Sequence, residues 1–230
     1  MANSAIFKTS IGKKFFMGIT GLFLISFLII HASINAMIWY NDGGATFSHW
    51  GHFMGTNPII RTLEIGLVIG FIVHIADGLL LWKANHEARP VKYKYNKPSA
   101  NSKWYSRSMG LLGTLLLLFF VLHFSHFWVP ARFTEAGLEF PVEYNGVLMH
   151  DMFGLMKVTF SELWVVIVYI VACISLFWHL LHGFQSAFRT IGVNNNRYLL
   201  LLNTIGLGFS LLVSALFALM PVAMYLKWIE

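Results

Sequence analysis

Five long apolar stretches, at about 15–39, 59–82, 105–129, 163–188 and 198–226, alternate with shorter polar connections along the chain. Each matches the roughly 20 apolar residues that carry a helix across the hydrocarbon core of a bilayer. The pattern predicts an all-α integral membrane protein with five transmembrane helices. The first stretch runs too long for a cleavable signal peptide, and no small-residue cleavage site follows its apolar core. In the connection 130–162, Met149, Met152, Phe153, Leu155, Met156 and Phe160 recur at near-helical spacing, which predicts a short amphipathic helix on the outer surface. No low-complexity segment and no long linker divides the chain, so residues 1–230 are expected to form a single domain.

Composition agrees with the pattern. Of the 230 residues 57% are hydrophobic and only 11% are charged, where a soluble domain carries about a quarter. The mean hydropathy is +0.66. That balance excludes an ordinary cytosolic enzyme. The lone Cys173 excludes a disulfide within the chain, a cysteine-ligated iron–sulfur cluster and a CxxC redox site.

Charge placement sets the orientation. Lys8, Lys13 and Lys14 precede the first stretch. The second connection carries Lys83, Arg89, Lys92, Lys94, Lys97, Lys103 and Arg107, and the fourth is flanked by Arg189 and Arg197. The other side holds Arg61, Arg132, Lys157 and Lys227 with most of the acids: Asp42, Glu135, Glu139, Glu143, Asp151 and Glu162. Basic residues concentrate on the cytoplasmic side of membrane proteins, so the N-terminus and the 83–107 connection are expected inside. That connection also holds Tyr93, Tyr95, Trp104 and Tyr105, as an interfacial aromatic belt does. A bacterial cytoplasmic (inner) membrane, spanned several times, is the expected location, and no nucleic-acid partner is expected.

Ionisable residues inside apolar spans are costly and mark function by default. Here they are nearly all histidines: His31, His74, His123 and His126, and His179 and His182, in the first to fourth spans. Counted from the cytoplasmic charges, His31 lies 17 residues from Lys14 and His123 lies 16 from Arg107. His74 lies 9 residues from Lys83 and His179 lies 10 from Arg189. Two levels result, separated by about 7 residues or roughly 11 Å of helix rise. Two imidazole pairs at two depths suit two stacked six-coordinate haems b, with iron held by His31 and His123 at one level and by His74 and His179 at the other. The first four helices are thus expected to form a haem-binding bundle.

Glycines repeat with the same pairing. Gly18-x2-Gly21-x9-His31 in the first span matches Gly110-x2-Gly113-x9-His123 in the third; His74-x3-Gly78 in the second matches His179-x3-Gly183 in the fourth. Gly78 and Gly183, one turn from a histidine on the same face, leave room for a porphyrin. The glycines of the first and third spans fall near the other pair's level. The spacing selects His123 over His126 and His179 over His182. The remaining His126 and His182 become candidates for the haem surroundings, for alternative ligation, or for packing.

Asp77 lies at a depth similar to His182, and the two are expected to form a desolvated pair. Glu64, at the outer opening of the second span, either exchanges protons with a quinone or pairs with Arg61 at the interface. Three HxxH pairs (His49/His52, His123/His126, His179/His182) raise a membrane di-iron site as a rival, but they fall at three different levels and a di-iron site needs convergence. A haem-free transporter using Asp77 and Glu64 is a second rival.

With these residues the chain resembles the di-haem cytochrome b membrane-anchor subunit of succinate dehydrogenase and fumarate reductase (complex II), in its single five-helix, menaquinone-type form. The resemblance spans nearly the whole chain and rests on Phe27-Leu-Ile-Ile-His31-x3-Asn35, the outer segment His52-Phe-Met-x3-Pro58, Leu63-Glu64-Ile65 leading to His74-x3-Gly78, Phe120-Val-Leu-His123, and His179-x3-Gly183 followed by Ile191-Gly192. It implies that His74 and His179 hold the haem nearer the cytoplasm and His31 and His123 the outer one. It further implies a menaquinone site near the outer haem, with Glu64 and His52 as candidates, and iron–sulfur and flavoprotein subunits docked on the cytoplasmic face. The implied role is an electron-transfer and quinone-reactive subunit of an oxidoreductase in electron transport and the tricarboxylic acid cycle, with no succinate chemistry of its own. Some fumarate reductase anchors carry a Glu two residues before the fourth-span ligand, where this chain has Phe177. A cytochrome b anchor of another membrane oxidoreductase would share the histidines without these loop and helix motifs.

Overall fold

In a computed structural model the described residues are 9–88, 97–133, 142–144 and 146–229. Lys8, Arg89, Lys92, Tyr93, Lys94, Tyr95, Glu135 and Glu139 lie outside them. Five helical segments are long and apolar enough to cross a membrane: Ile11–Tyr40, Pro58–Glu87, Met109–Phe133, Leu163–Thr190 and Asn196–Tyr225. They correspond one for one to the apolar stretches.

Local chemistry explains where they begin. Helix α1 (Ser10–Asn35) starts at Thr9, whose hydroxyl accepts a hydrogen bond from the Gly12 amide at 3.0 Å. It continues into a short 3₁₀ turn, Ala36–Tyr40. A helix of 12 residues, α2 (Ala45–Thr56), lies within the first connection, for which the sequence pattern predicts no helix. Asp42 fixes its entry: burial slightly opposes ionisation, but bonds from the amide and hydroxyl of Thr46 outweigh this and hold its carboxyl below the usual range. Helix α3 (Pro58–Glu87) has Pro58 in its first turn and Asn57 as cap.

The third span is composite. Two short helices, α4 (Pro98–Asn101) and α5 (Trp104–Arg107), precede α6 (Met109–His123), so the span begins at Met109 rather than at 105. A π-helical turn, Phe124–Trp128, joins α6 to α7 (Val129–Phe133). Strands β1 (Val142–Tyr144) and β2 (Val147–Met149) then pair antiparallel, Val142 opposite Met149. The expected short helix is present as α8 (Met152–Thr159), capped by the Asp151 carboxylate on the Gly154 amide at 2.8 Å. Met149 does not belong to it. That residue is the buried end of β2, because the chain must turn at Gly146 (φ 78°) before a helix can start. Helices α9 (Leu163–Thr190) and α10 (Asn196–Tyr225) complete the chain.

Helices α1, α3, α6 and α9 are neighbours in a closed ring, with α10 laid along α9 and α1. Small residues set the close approaches. A Cβ on Gly206 of α10 would meet the Phe184 ring at 2.7 Å, and one on Gly18 would lie 3.7 Å from the Ala187 backbone. The hydroxyl of Ser175 donates to the Leu112 carbonyl at 3.0 Å, a buried polar tie between α9 and α6. On α3 no described residue is buried, and Leu63, Ile65, Ile69 and Ile72 are exposed as lipid-facing residues are. At the end of the bundle where α1 finishes, α2, the hairpin and α8 form a cap whose buried residues include Phe47, Phe153, Met156 and Phe160. Gly44 (φ 79°) sits so close beneath Phe153 that any Cβ there would overlap its ring.

Candidate functional site: two stacked histidine pairs

The ring of four helices brings the span histidines together in pairs. His74 of α3 and His179 of α9 have ring centroids 6.3 Å apart with planes at 66°. His31 of α1 and His123 of α6 are 6.0 Å apart at 90°. Two imidazoles on opposite sides of one iron, each nitrogen about 2 Å from the metal, place their ring centroids about 6 Å apart. The donor chemistry is also apt, since paired imidazole nitrogens are the donors a bis-histidine haem takes.

Room around the inner pair comes from missing side chains. A Cβ on Gly21 of α1 would lie 3.5 Å from Cε1 of His74, and one on Gly113 of α6 would lie 3.9 Å from Cε1 of His179. Glycines of the first and third spans therefore stand at the level of the second and fourth spans' histidines. Beside Gly183 a Cβ would meet nothing within 4 Å, whereas one on Gly78 would meet the flexible end of Met17 at 3.4 Å. Gly110 has a packing role: the Trp82 indole occupies the space a side chain would need. The Nδ1 atoms of His123 and His179 are buried without a hydrogen-bond partner, although both residues are partly accessible. Their accessible part thus lies away from Nδ1, as coordination through Nε2 requires. Geometry, donors and clearance fit bis-histidine haem.

His126 and His182 face elsewhere. His126 Nδ1 lies 3.1 Å from the Tyr169 hydroxyl and its ring stacks on that phenol at 13°. The π turn immediately after His123 re-aims His126 toward α9, a local change with no evident sequence signal. His182 lies edge-on to Tyr105, within an aromatic group with Trp178 and Trp104. The expected pair between Asp77 and His182 does not form. The Oδ2 atom of Asp77 is buried without a hydrogen-bond partner, and the charge that acts on it is Lys13 of α1, because α3 turns Asp77 toward α1 and away from α9.

Glu64 joins α3 to the third span. One carboxylate oxygen accepts from Arg61 and from Arg132 Nη2 at 3.1 Å, and the other from Trp128 Nε1 at 2.8 Å. The Arg61 partner was legible in the sequence, three residues before Glu64; Arg132 and Trp128 were not. These side chains, with Val68 and Phe133, line a groove of about 320 Å³. His52 of α2 does not line it, so the two candidate quinone residues do not share one groove. Among the described residues no three His, Cys, Asp or Glu side chains converge as a metal cluster would need, and the three HxxH pairs stay apart. Cys173 is buried and free.

The chain is thus a five-helix, multi-pass membrane protein with two histidine pairs inside its helical ring. No family model matches it, and no curated protein or solved structure is detectably similar to it.

Proposed function

We propose that this chain is a membrane-anchor cytochrome b subunit, holding two haems b between four helices. More particularly, we propose the anchor of a succinate:menaquinone oxidoreductase or menaquinol:fumarate reductase, mediating electron transfer between a cytoplasmic iron–sulfur subunit and menaquinone in a bacterial inner membrane. The observation that carries the proposal is the pairing of His31 with His123 and His74 with His179, at 6.0 and 6.3 Å, from four different helices.

When bound, each haem supplies one-electron redox chemistry that no amino-acid side chain here provides. The chain's own residues hold and insulate it. His31, His74, His123 and His179 would hold the irons through their ring nitrogens. Gly21, Gly113 and Gly183 leave clearance. Phe27, Phe119 and Phe127 pack around the outer pair and keep water from it. The groove beside Glu64 is of the size that takes a small-molecule headgroup, and its indole donor and two guanidinium groups, held by the Glu64 carboxylate, offer N–H donors to a quinone oxygen. The basic residues Lys97, Lys103 and Arg107 lie on the face assigned to the soluble partners, with a flavoprotein attached through the iron–sulfur subunit.

The test is a dithionite-reduced minus oxidised spectrum of the purified full-length chain, with haem per polypeptide measured as the pyridine haemochrome. Two b-type, low-spin haems are expected. One haem would mean that only one pair ligates. None in folded protein would overturn the proposal and favour transport through Asp77, whose buried, unpartnered oxygen is the one observation on that side.

A further inference from the structure

The two pairs differ in how their rings are held, and one ring is prepared for metal by a neighbour that the sequence reading left without a role. Thr20 of α1 places its hydroxyl oxygen 3.1 Å from Nδ1 of His74, across the α1–α3 contact. The same hydroxyl lies 2.8 Å from the Phe16 carbonyl and 3.2 Å from the Met17 carbonyl. A hydroxyl has one proton to donate, and a backbone carbonyl only accepts. With that proton on the nearer carbonyl, Thr20 faces His74 with a lone pair. His74 must then carry its own proton on Nδ1, which leaves Nε2 as the nitrogen with a free electron pair.

From this arrangement we infer that Thr20 is a positioning residue for the inner site. It fixes His74 in the Nδ1–H tautomer, orients the ring and strengthens Nε2 as a donor to a ferric or ferrous iron. Gly21, next in sequence, leaves the flank of the same ring free. The outer pair has no equivalent. Beside His31 Nδ1 stands the Asn35 amide nitrogen, 3.4 Å away, a donor rather than an acceptor, which also donates to the His31 carbonyl at 2.8 Å. His123 Nδ1 and His179 Nδ1 have no hydrogen-bond partner. The effect of Thr20 is therefore confined to one of two sites.

The inference rests on the haem reading above, and the experiment separates the two. Wild type, Thr20→Val, Thr20→Ser and Thr114→Val are compared as full-length protein loaded with haem b. Thr114 is exposed on α6 and donates only to the Gly110 carbonyl, so its Val variant makes the same chemical change away from either pair. The readouts are the rate of haem transfer to excess apomyoglobin, the low-spin ferric electron paramagnetic resonance signals and a potentiometric titration, with circular dichroism as the check on folding. In Thr20→Val one of the two haems is expected to leave 10–100-fold faster, the usual cost of removing such an outer partner. Its ferric signal and potential should shift, while the other haem is unchanged. Thr20→Ser, which keeps the hydroxyl, should restore wild-type behaviour. Should Thr20→Val not fold, Thr20→Ala makes the same removal without the β-branch. Two haems in the wild type with Thr20→Val indistinguishable from Thr114→Val would overturn this inference alone. A folded wild type that binds no haem would overturn it together with the functional proposal.

Discussion

The inner and outer histidine pairs use the same donors at nearly the same separation, yet their surroundings are made in opposite ways. At the inner level space is left by absence: Gly21 and Gly113 border the rings, and Gly183 opens on empty volume. At the outer level the rings are jacketed. His31 stacks on Phe27 at 5.2 Å and meets Phe217 at 5.5 Å, while His123 is surrounded by Phe119, Phe127 and Tyr169. The cap of α2, the hairpin and α8 then closes over that end, with Phe153 and Met156 buried at 3% and 4% exposure. The inner pair instead lies toward the end of the bundle where Trp178 leads through Tyr105 to the exposed Trp104. On the proposed haem reading, the same imidazole donors with glycine neighbours or with aromatic neighbours would differ in burial and in local dielectric, two of the levers by which a protein sets a haem potential. Two distinct potentials are therefore expected, and five substitutions, in four tests, probe the two levels and the cap.

The largest effect is expected at the ligands. His123→Ala should remove one haem of the two and leave the inner one, while His126→Ala should keep both, because His126 is engaged with Tyr169. Haem per polypeptide decides it; loss in both variants would mean that the third span supplies its ligand differently. Next comes clearance. Gly113→Leu should displace the inner haem and spare the outer, since its Cβ would already stand 3.9 Å from His179 and the added isobutyl must occupy the remaining space. Retention of both haems would show that glycine at this site serves only helix packing.

The third test breaks the outer side. Phe153→Ala removes a buried ring from the cap and should cost about 3–5 kcal/mol, read as a lowered melting temperature. The outer haem should become accessible to aqueous reductants while the inner one is unaffected. Equal change at both levels would mean that the cap and the helical ring unfold as one unit. The smallest effect concerns Asp42 at the entry to α2. Its folded pKa is lowered, so its contribution is present above the ordinary Asp value of about 3.9 and is lost as pH falls through the lowered value. Asp42→Asn should therefore lower the melting temperature slightly at pH 6, and the difference should vanish near pH 2.

Much of this architecture is visible in one dimension. Crossing lipid demands about 20 apolar residues in a row, which leaves an unmistakable trace in the chain. Helix rise is constant, so counting from Lys14, Arg107, Lys83 and Arg189 places His31 level with His123 and His74 level with His179. The features that escaped depend on rotation about helix axes and on contacts distant in sequence. Asp77 shares a depth with His182 but turns toward Lys13, since depth says nothing of which neighbour a face meets. Trp128 and Arg132 reach Glu64 from 64 and 68 residues away. The π turn at 124–128 follows from packing of the third span, and α2 folds within a connection whose composition is not distinctive.

What the sequence determined by itself was the number of apolar spans, the charge bias between their two ends and the matching levels of His31 with His123 and of His74 with His179, because hydrophobic length and helix rise are local quantities. Tertiary structure decided which rings meet, where glycine makes room and where an aromatic ring takes it away. It also set which hydroxyl holds His74, because each of these depends on how one helix is rotated against another and on nothing that a single helix contains.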